Sequence, residues 1–427
     1  MTTSLLDSIG LNYHPNIITI IGLLVAATFL GSKLFQRFGI PQVVGYIVIG
    51  VFLGASFLNV VPLELSDELS FISEIALGLI GFDMGSRLYF GDVKTKSRSI
   101  FTILLFESLG TFALVTVGIY LVTGSLNTAL IFGALSSATA PAATVDVLAE
   151  YDAEGPMTTS LLAVVGLDDA VSLLLYSLVA AYTESALVGG QTPTFWQMVE
   201  LPMFEVVGSL LLGLTAGWIL NQIMHRMKSA HDSMAVSIGF VLILVGLSDS
   251  LGLSLILTTM VMGMTVVNCC VEHGQHIRFT IEQAGPVIYV LFFALVGARF
   301  QVSLLPTMGL VGIVYVLLRT FGKFCGAWLG GALGGAAPAV RDNLGFGLLS
   351  QAGVAIGLAL DSCKRFSELG VDGEALGMLI ISVITATTFI VQIFGPMGVK
   401  LAIVRSGEIY QARGGSDRWE SEGIPEN

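Results

Sequence analysis

The sequence predicts an all-α polytopic membrane protein of about 13 transmembrane helices, and three observations carry that prediction. The first is composition: 54% of the 427 residues are hydrophobic, 12% are charged, and mean hydropathy is +0.85. Soluble chains carry roughly 25% charged residues, so this chain has too little polar surface to wet a soluble fold of its size. The second is the recurrence of apolar runs long enough to cross a hydrocarbon core of roughly 30 Å. The third is the sorting of basic residues. If successive interhelical segments alternate sides, one side collects 14 of the 19 Lys and Arg, from Lys33 to Arg418. The other side holds only Arg299, Lys364 and Arg365, while Arg319 and Lys323 fall inside a span. Cytoplasmic loops are enriched in Lys and Arg. The rich side is therefore read as cytoplasmic, with the N-terminus outside and the C-terminus inside.

In chain order the expected spans are Asn16–Gly31, Pro41–Val61, Leu69–Phe90, Ser99–Val122, Asn127–Ala149 and Pro156–Tyr182. They continue as Met203–Met224, Ser233–Leu247, Leu253–Val267, Ala284–Val296, Pro306–Leu333, Leu344–Leu360 and Ala375–Ile403. The eighth to tenth are short. The N-terminal stretch has no basic region ahead of an apolar core, so no cleaved signal is expected, and a plasma (inner) membrane location follows. The tail 404–427 is short and polar and lies on the cytoplasmic side. Cys269, Cys270, Cys325 and Cys363 form neither a disulfide framework nor a metal-ligand spacing. No basic patch with interleaved aromatics is present, so nucleic acid is not an expected partner. No Gly-rich phosphate loop, Ser/His/Asp set or metal cluster appears, so neither cofactor nor enzymatic chemistry is expected.

Charges at membrane depth cost roughly 2.5–3.5 kcal/mol each and mark function by default. The sixth span, PMTTSLLAVVGLDDAVSLLLYSLVAAY, carries Asp168 and Asp169 at its centre. Adjacent helical residues point about 100° apart, so the two carboxylates take different jobs. One can face a helix partner and the other a water-filled cavity; the plainer alternative is a buried structural pair or a cap. In the fifth span, SSATAPAATVDVLAE, Pro141 removes a backbone donor and biases Ala140 away from helix. With Thr139 and Thr144 beside it, this reads as a helix broken at membrane depth, where freed carbonyls and half-helix ends hold ions. The twelfth span has Ser350, Gln351 and Gly353 in mid-run and reads as a second interruption facing the first.

Arg319 and Lys323 lie four residues apart on one face of the eleventh span. Buried cations need partners, and an Asp168–Lys323 pair is the economical choice. Glu107, the deepest of the remaining acids, is either a second proton site or a helix-pairing residue. Glu74, Asp83 and Asp249 are lesser candidates, with Asp249 expected in a turn, and His273 and His276 are expected in a solvated cytoplasmic loop. Glycines 322, 326, 330, 331, 334 and 335 suit close helix packing in lipid.

These features fall into two triplets, 99–182 and 306–403, which start on opposite sides of the membrane. Discontinuous helices at corresponding places of two inverted repeats point to a midplane transport site.

The segments GLDDA after TAPAAT, GKFCGA and LLSQAGVAIGLAL resemble the monovalent cation:proton antiporters, most of all the electrogenic branch with an Asp-Asp pair. The resemblance spans nearly the whole chain. It implies two crossed discontinuous helices, a core domain built from 99–182 and 306–403, dimerisation-domain helices in 1–98, and a linker helix with further dimerisation-domain helices in 183–305. It also implies a homodimer in membrane lipid and elevator-type alternating access. By the same resemblance Asp169 is the ion- and proton-carrying carboxylate, and Asp168 is its neighbour, which pairs with a lysine, here Lys323. Thr139-Ala140-Pro141 is the first crossing and Ser350-Gln351 lies in the second. Some members carry an Asp where this chain has Ala140, which leaves ligand number and ion choice open. The Gln-Gly-Gly-Glu-Phe pattern and the nucleotide-binding domain of glutathione-gated potassium efflux systems are absent. The expected activity is exchange of a monovalent cation, Na+ ahead of Li+ or K+, for protons. The rivals are an ion-coupled carrier of an organic anion, with Arg319 binding its carboxylate, and an uncoupled cation channel.

Overall fold

Chain punctuation sets the helix ends. Asn16 caps the first helix by accepting the Thr19 N–H, and left-handed Gly124 and Gly407 close two others. Prolines 141 and 338 each open a helix at its first position, where the missing N–H costs nothing. The computed structural model describes residues 16–188, 195–224, 230–269, 271–302, 306 and 309–409.

The elements in order are α1 (Ile17–Arg37), α2 (Gln42–Leu53), α3 (Leu63–Glu68), α4 (Ser70–Ser86), α5 (Phe90–Thr123), α6 (Leu126–Ser137), α7 (Pro141–Glu150) and α8 (Pro156–Val188). There follow α9 (Phe195–Met224), α10 (Ala230–Leu251), α11 (Leu255–Cys269), α12 (Val271–Ala298), α13 (Gly309–Gly334), α14 (Pro338–Gly347), α15 (Gly353–Ser367) and α16 (Val371–Ser406). No strand occurs among the described residues. Among the described residues nine apolar segments are long enough to cross a membrane, with α6 and α7 together making one of them, and α2, α11 and residues 285–298 of α12 are shorter apolar helices. With the interrupted pair α14–α15 added, the number is roughly consistent with the thirteen crossings expected. The chain is a multi-pass membrane protein.

Several boundaries differ from expectation. Helix α5 begins at Phe90 rather than Ser99, so Lys94, Lys96 and Arg98 ride on a helix and not in a loop. The second interrupted span begins at Pro338 rather than Leu344, because its first half is polar enough to read as a connection. The segment 271–278, expected as a loop, forms the first turns of α12; the side chains of His273 and His276, like all of Cys270, lie outside the described residues. Asp249 sits exposed in the last turn of α10, not in a turn.

The largest buried apolar cluster runs across the bundle, joining Val44 of α2, Leu79 of α4 and Met260 of α11 to Leu104 of α5, Val164 of α8 and Leu344 of α14. A smaller one draws mainly on α5, α6, α8, α13, α15 and α16, including Ile119, Phe132, Tyr176, Tyr315, Phe366 and Ile380. A third joins α1, α2, α4 and α12 through Leu24, Leu53, Ile72 and Leu295. Large apolar side chains face outward on α1 and α9, such as Leu30 and Trp218, as expected where the surrounding solvent is hydrocarbon.

Candidate functional site

The site is built on an unusually close approach of two helices from opposite repeats, α5 and α13. Gly322, Gly326, Gly330 and Gly334 recur at four-residue intervals along one face of α13. A Cβ on Gly326 would lie 2.5 Å from the Phe106 carbonyl oxygen. On Gly322 it would lie 2.8 Å from Thr111 Cα, and on Gly330 2.5 Å from the Thr102 oxygen. Hydrogen in place of side chains lets the backbones touch. Lys323, next to Gly322 on this seam, is thereby carried into the interior and is fully buried.

Its ammonium makes three contacts. Nζ lies 2.6 Å from Glu107 Oε2 on α5 and 2.9 Å from Asp168 Oδ2 on α8, and it donates to the Ser137 carbonyl at the end of α6. Ser108 joins the two acids: its Oγ lies 2.9 Å from both Glu107 Oε1 and Asp168 Oδ1. Thr139 Oγ1 donates to Asp168 Oδ2 at 2.5 Å. The expected Asp168–Lys323 pair is present, but Lys323 is shared with Glu107, a third anion at this depth and one of the secondary candidates of the sequence. The contact joins α5 to α13. Isolated buried charges would cost several kcal/mol apiece, and hydrogen-bonded clusters of opposite sign offset that cost.

One turn away, Arg319 is equally buried. It does not snorkel. Nη1 donates to Leu349 O at 2.6 Å, and Nη2 donates to Ala138 O at 2.8 Å and Ser350 O at 3.1 Å. These are carbonyls freed where α6 and α14 stop. Helix C-termini carry partial negative charge and unpaired carbonyls; here two converge, and Arg319 and Lys323 satisfy both. The breaks cross directly, the Ala140 N–H donating to Ser350 O at 3.0 Å. Gln351 Nε2 donates to Leu135 O at 2.9 Å and to the Tyr315 hydroxyl at 2.7 Å, fixing α6 against α13. The opposite half-helix ends, α7 at Ala140-Pro141 and α15 at Ala352-Gly353, have no side-chain cap.

Asp169 stands apart. It is 8% exposed, its carboxylate accepts no hydrogen bond from any described residue, and Oδ1 is buried without a partner. Its main-chain oxygen accepts from Ser172, as helix geometry dictates. The two aspartates therefore do have different surroundings. Asp168 is held by three side chains and Asp169 by none. Fully ionised, the three carboxylates Glu107, Asp168 and Asp169 exceed Lys323 and Arg319 by one negative charge.

Some expected residues lie elsewhere. Thr144 Oγ1 is within 3.4 Å of Ala140 O inside α7 and does not reach Asp168. The Ser350 hydroxyl has no partner, although its carbonyl has two. Asp83 pairs with Arg87 at 3.1 Å in α4, away from the cluster. Ser108 and Tyr315, which hold Asp168 and Gln351, were not singled out by the sequence.

A profile of the family described as sodium/hydrogen exchanger, transmembrane, matches residues 23–398. The chain is 26% identical over 353 residues to a Na+/H+ antiporter of Enterococcus hirae, covering 79% of this chain and 88% of that protein. It is 22% identical over 413 residues to the high-affinity Na+/H+ antiporter NhaS3 of Synechocystis sp., covering 86% and 87%. Among solved structures, the sodium proton antiporter MjNhaP1 of Methanocaldococcus jannaschii aligns with a TM-score of 0.74 at 17% identity, over 92% of this chain and 97% of that one. At that identity the last match speaks for a shared fold.

Proposed function

The chain belongs to the sodium/hydrogen exchanger family, and from that premise we propose that Asp169 is the carboxylate on which a monovalent cation and a proton compete. It is a secondary transporter, not an enzyme, and it exchanges a monovalent cation for protons. The observation that carries the residue assignment is the charge surplus. Every other buried ionisable group of the cluster has a partner within hydrogen-bond distance, and Asp169 has none. A bare carboxylate in that position is costly, so it takes up either a proton or a cation. Occupancy by one excludes the other, and this couples the two fluxes.

Asp168, held by Lys323, Thr139 and Ser108, sits beside that site and lends a second oxygen pair when Lys323 turns to Glu107. If Lys323 exchanges a proton in doing so, more than one proton moves per cation and exchange is electrogenic. The uncapped ends of α7 and α15 and the unpartnered Ser350 hydroxyl supply further polar surface at the crossing. Sodium is the favoured ion, in keeping with the named relatives; lithium and potassium are the alternatives. The organic-anion reading loses its anchor, since Arg319 spends its terminal nitrogens on three carbonyls.

The triplets containing α5–α8 and α13–α16 form the moving core, and the remaining helices form a homodimeric scaffold in lipid. The N-terminus faces outward and the C-terminus the cytoplasm, as the basic residues sort. The test is cation-triggered collapse of an imposed pH gradient in proteoliposomes, with sodium, lithium and potassium, for wild type and Asp169→Asn. Sodium- or lithium-driven proton release that the variant loses supports the assignment. Normal exchange by folded Asp169→Asn overturns it.

A further inference from the structure

The last described turn of the chain lies against the first turn of the aspartate helix. α16 ends at left-handed Gly407, φ 74°, and Glu408 then turns inward, its N–H donating to Ile403 O at 3.0 Å. The two carboxylate oxygens accept from consecutive amides of α8: Oε1 from the Met157 N–H at 2.6 Å and Oε2 from the Thr158 N–H at 2.7 Å. The Glu408 carbonyl also accepts from the Glu154 N–H at 3.2 Å. Glu408 is only 5% exposed.

Helix N-termini leave several N–H groups without intrahelical partners, and these are usually met by a Ser, Thr, Asp or Asn immediately before the helix. Ahead of α8 the chain reads Asp152-Ala153-Glu154-Gly155, and the cap comes instead from Glu408, 250 residues beyond Thr158. Gly155 makes this possible. Its φ is +158°, and a Cβ there would meet the Glu408 carboxyl, with Oε1 at 2.6 Å. A negative group at this end also opposes the positive pole of the helix. Nearby, Arg405 of α16 stacks over the Phe346 ring of α14 at 5.4 Å, so the same end of α16 also holds the first half of the second broken helix.

We propose that Glu408 is a positioning residue for exchange: it caps α8 from the end of α16 and so locks the helix bearing Asp168 and Asp169 to the opposite repeat. This rests on the exchange reading above. Asp168 is about three turns along α8 from the cap, and in the resting site it is held locally by Lys323, Thr139 and Ser108. Cation binding therefore does not need Glu408. Carrying the loaded site across does, because α8 also packs on α9 outside the triplets. An uncapped α8 can lag behind α13 and α16 as the unit moves.

The experiment compares wild type, Glu408→Gln, Glu408→Ala and a chain ending at Ala412 in proteoliposomes. It measures maximal sodium-driven proton release and half-saturating sodium, and it follows amide hydrogen exchange at Met157 and Thr158. Glu408→Ala should lower the maximal rate about threefold or more with half-saturation unchanged, and those two amides should exchange about fivefold faster. Glu408→Gln keeps one acceptor oxygen and falls between. The chain ending at Ala412 behaves as wild type. An unchanged maximal rate in Glu408→Ala overturns the proposal. So does a shift in half-saturation alone, or an equal loss in the chain ending at Ala412. If wild type itself exchanges no cation, the exchange reading fails and takes this role with it, while faster amide exchange in Glu408→Ala would still register the cap as structural only.

Discussion

Neutralising one aspartate at a time separates the two neighbours. In Asp168→Asn the Lys323 ion pair at 2.9 Å is lost, and one of the two donors, Ser108 or Thr139, faces an amide NH2 instead of an oxygen. Hydrogen bonds to charged groups contribute about 1.5–3 kcal/mol, and breaking a buried pair outright costs about 3–5 kcal/mol. Lys323 keeps Glu107 at 2.6 Å and the Ser137 carbonyl, so its charge is not stranded. The net cost should be about 2–4 kcal/mol. Asp169→Asn removes a charge that no described residue hydrogen-bonds, so its effect should stay within about 1 kcal/mol of zero, or stabilise. Reversible unfolding in mixed micelles, followed by tryptophan fluorescence at low sodium, measures both. Equal destabilisation, or a larger loss in Asp169→Asn, would refute the division of labour between the two carboxylates.

Sodium at a hundred times its dissociation constant should stabilise wild type by about 2.7 kcal/mol and leave Asp169→Asn unmoved in the same unfolding assay. Because a proton and the cation occupy one carboxylate, half-saturating sodium should rise about tenfold per pH unit on the acid side, where the proton holds the site; a flat profile in the liposome assay would contradict competition. Gly326→Leu places a side chain against the α5 backbone at Phe106 and Glu107. It should cost at least about 1–3 kcal/mol and part Lys323 from Glu107, which the yield of folded protein in detergent would report. Arg319→Lys cannot reach three carbonyls at once and should lose folded protein, whereas a residue kept for substrate binding would lower transport and leave yield intact.

The fold and the buried charges of the candidate site were legible because hydrocarbon makes them so. A charge in the middle of an apolar run is rare enough to announce Asp168, Asp169 and Lys323, and Pro141 beside Thr139 announces a broken helix. Partner choice was harder. Counting anions paired Lys323 with Asp168 and could not reveal that the α13 glycines also bring Glu107 to 2.6 Å. Arg319 was read as a side chain in search of an anion, while its partners are carbonyls, which every residue has and no sequence pattern marks. Glu408 escaped notice for the same reason: it lies in a polar stretch, and its partners are main-chain amides far back along the chain.

The hydrogen bond at which the broken helices cross has an evolutionary corollary. It joins the Ala140 N–H to the Ser350 carbonyl, so it passes through peptide groups that mutation leaves in place, with proline at 140 the exception. Side-chain identity at 140 is free of any duty in holding the crossing. Substitution at 140, proline aside, can therefore alter the polar surface beside Thr139 while leaving the bond that holds the crossing in place.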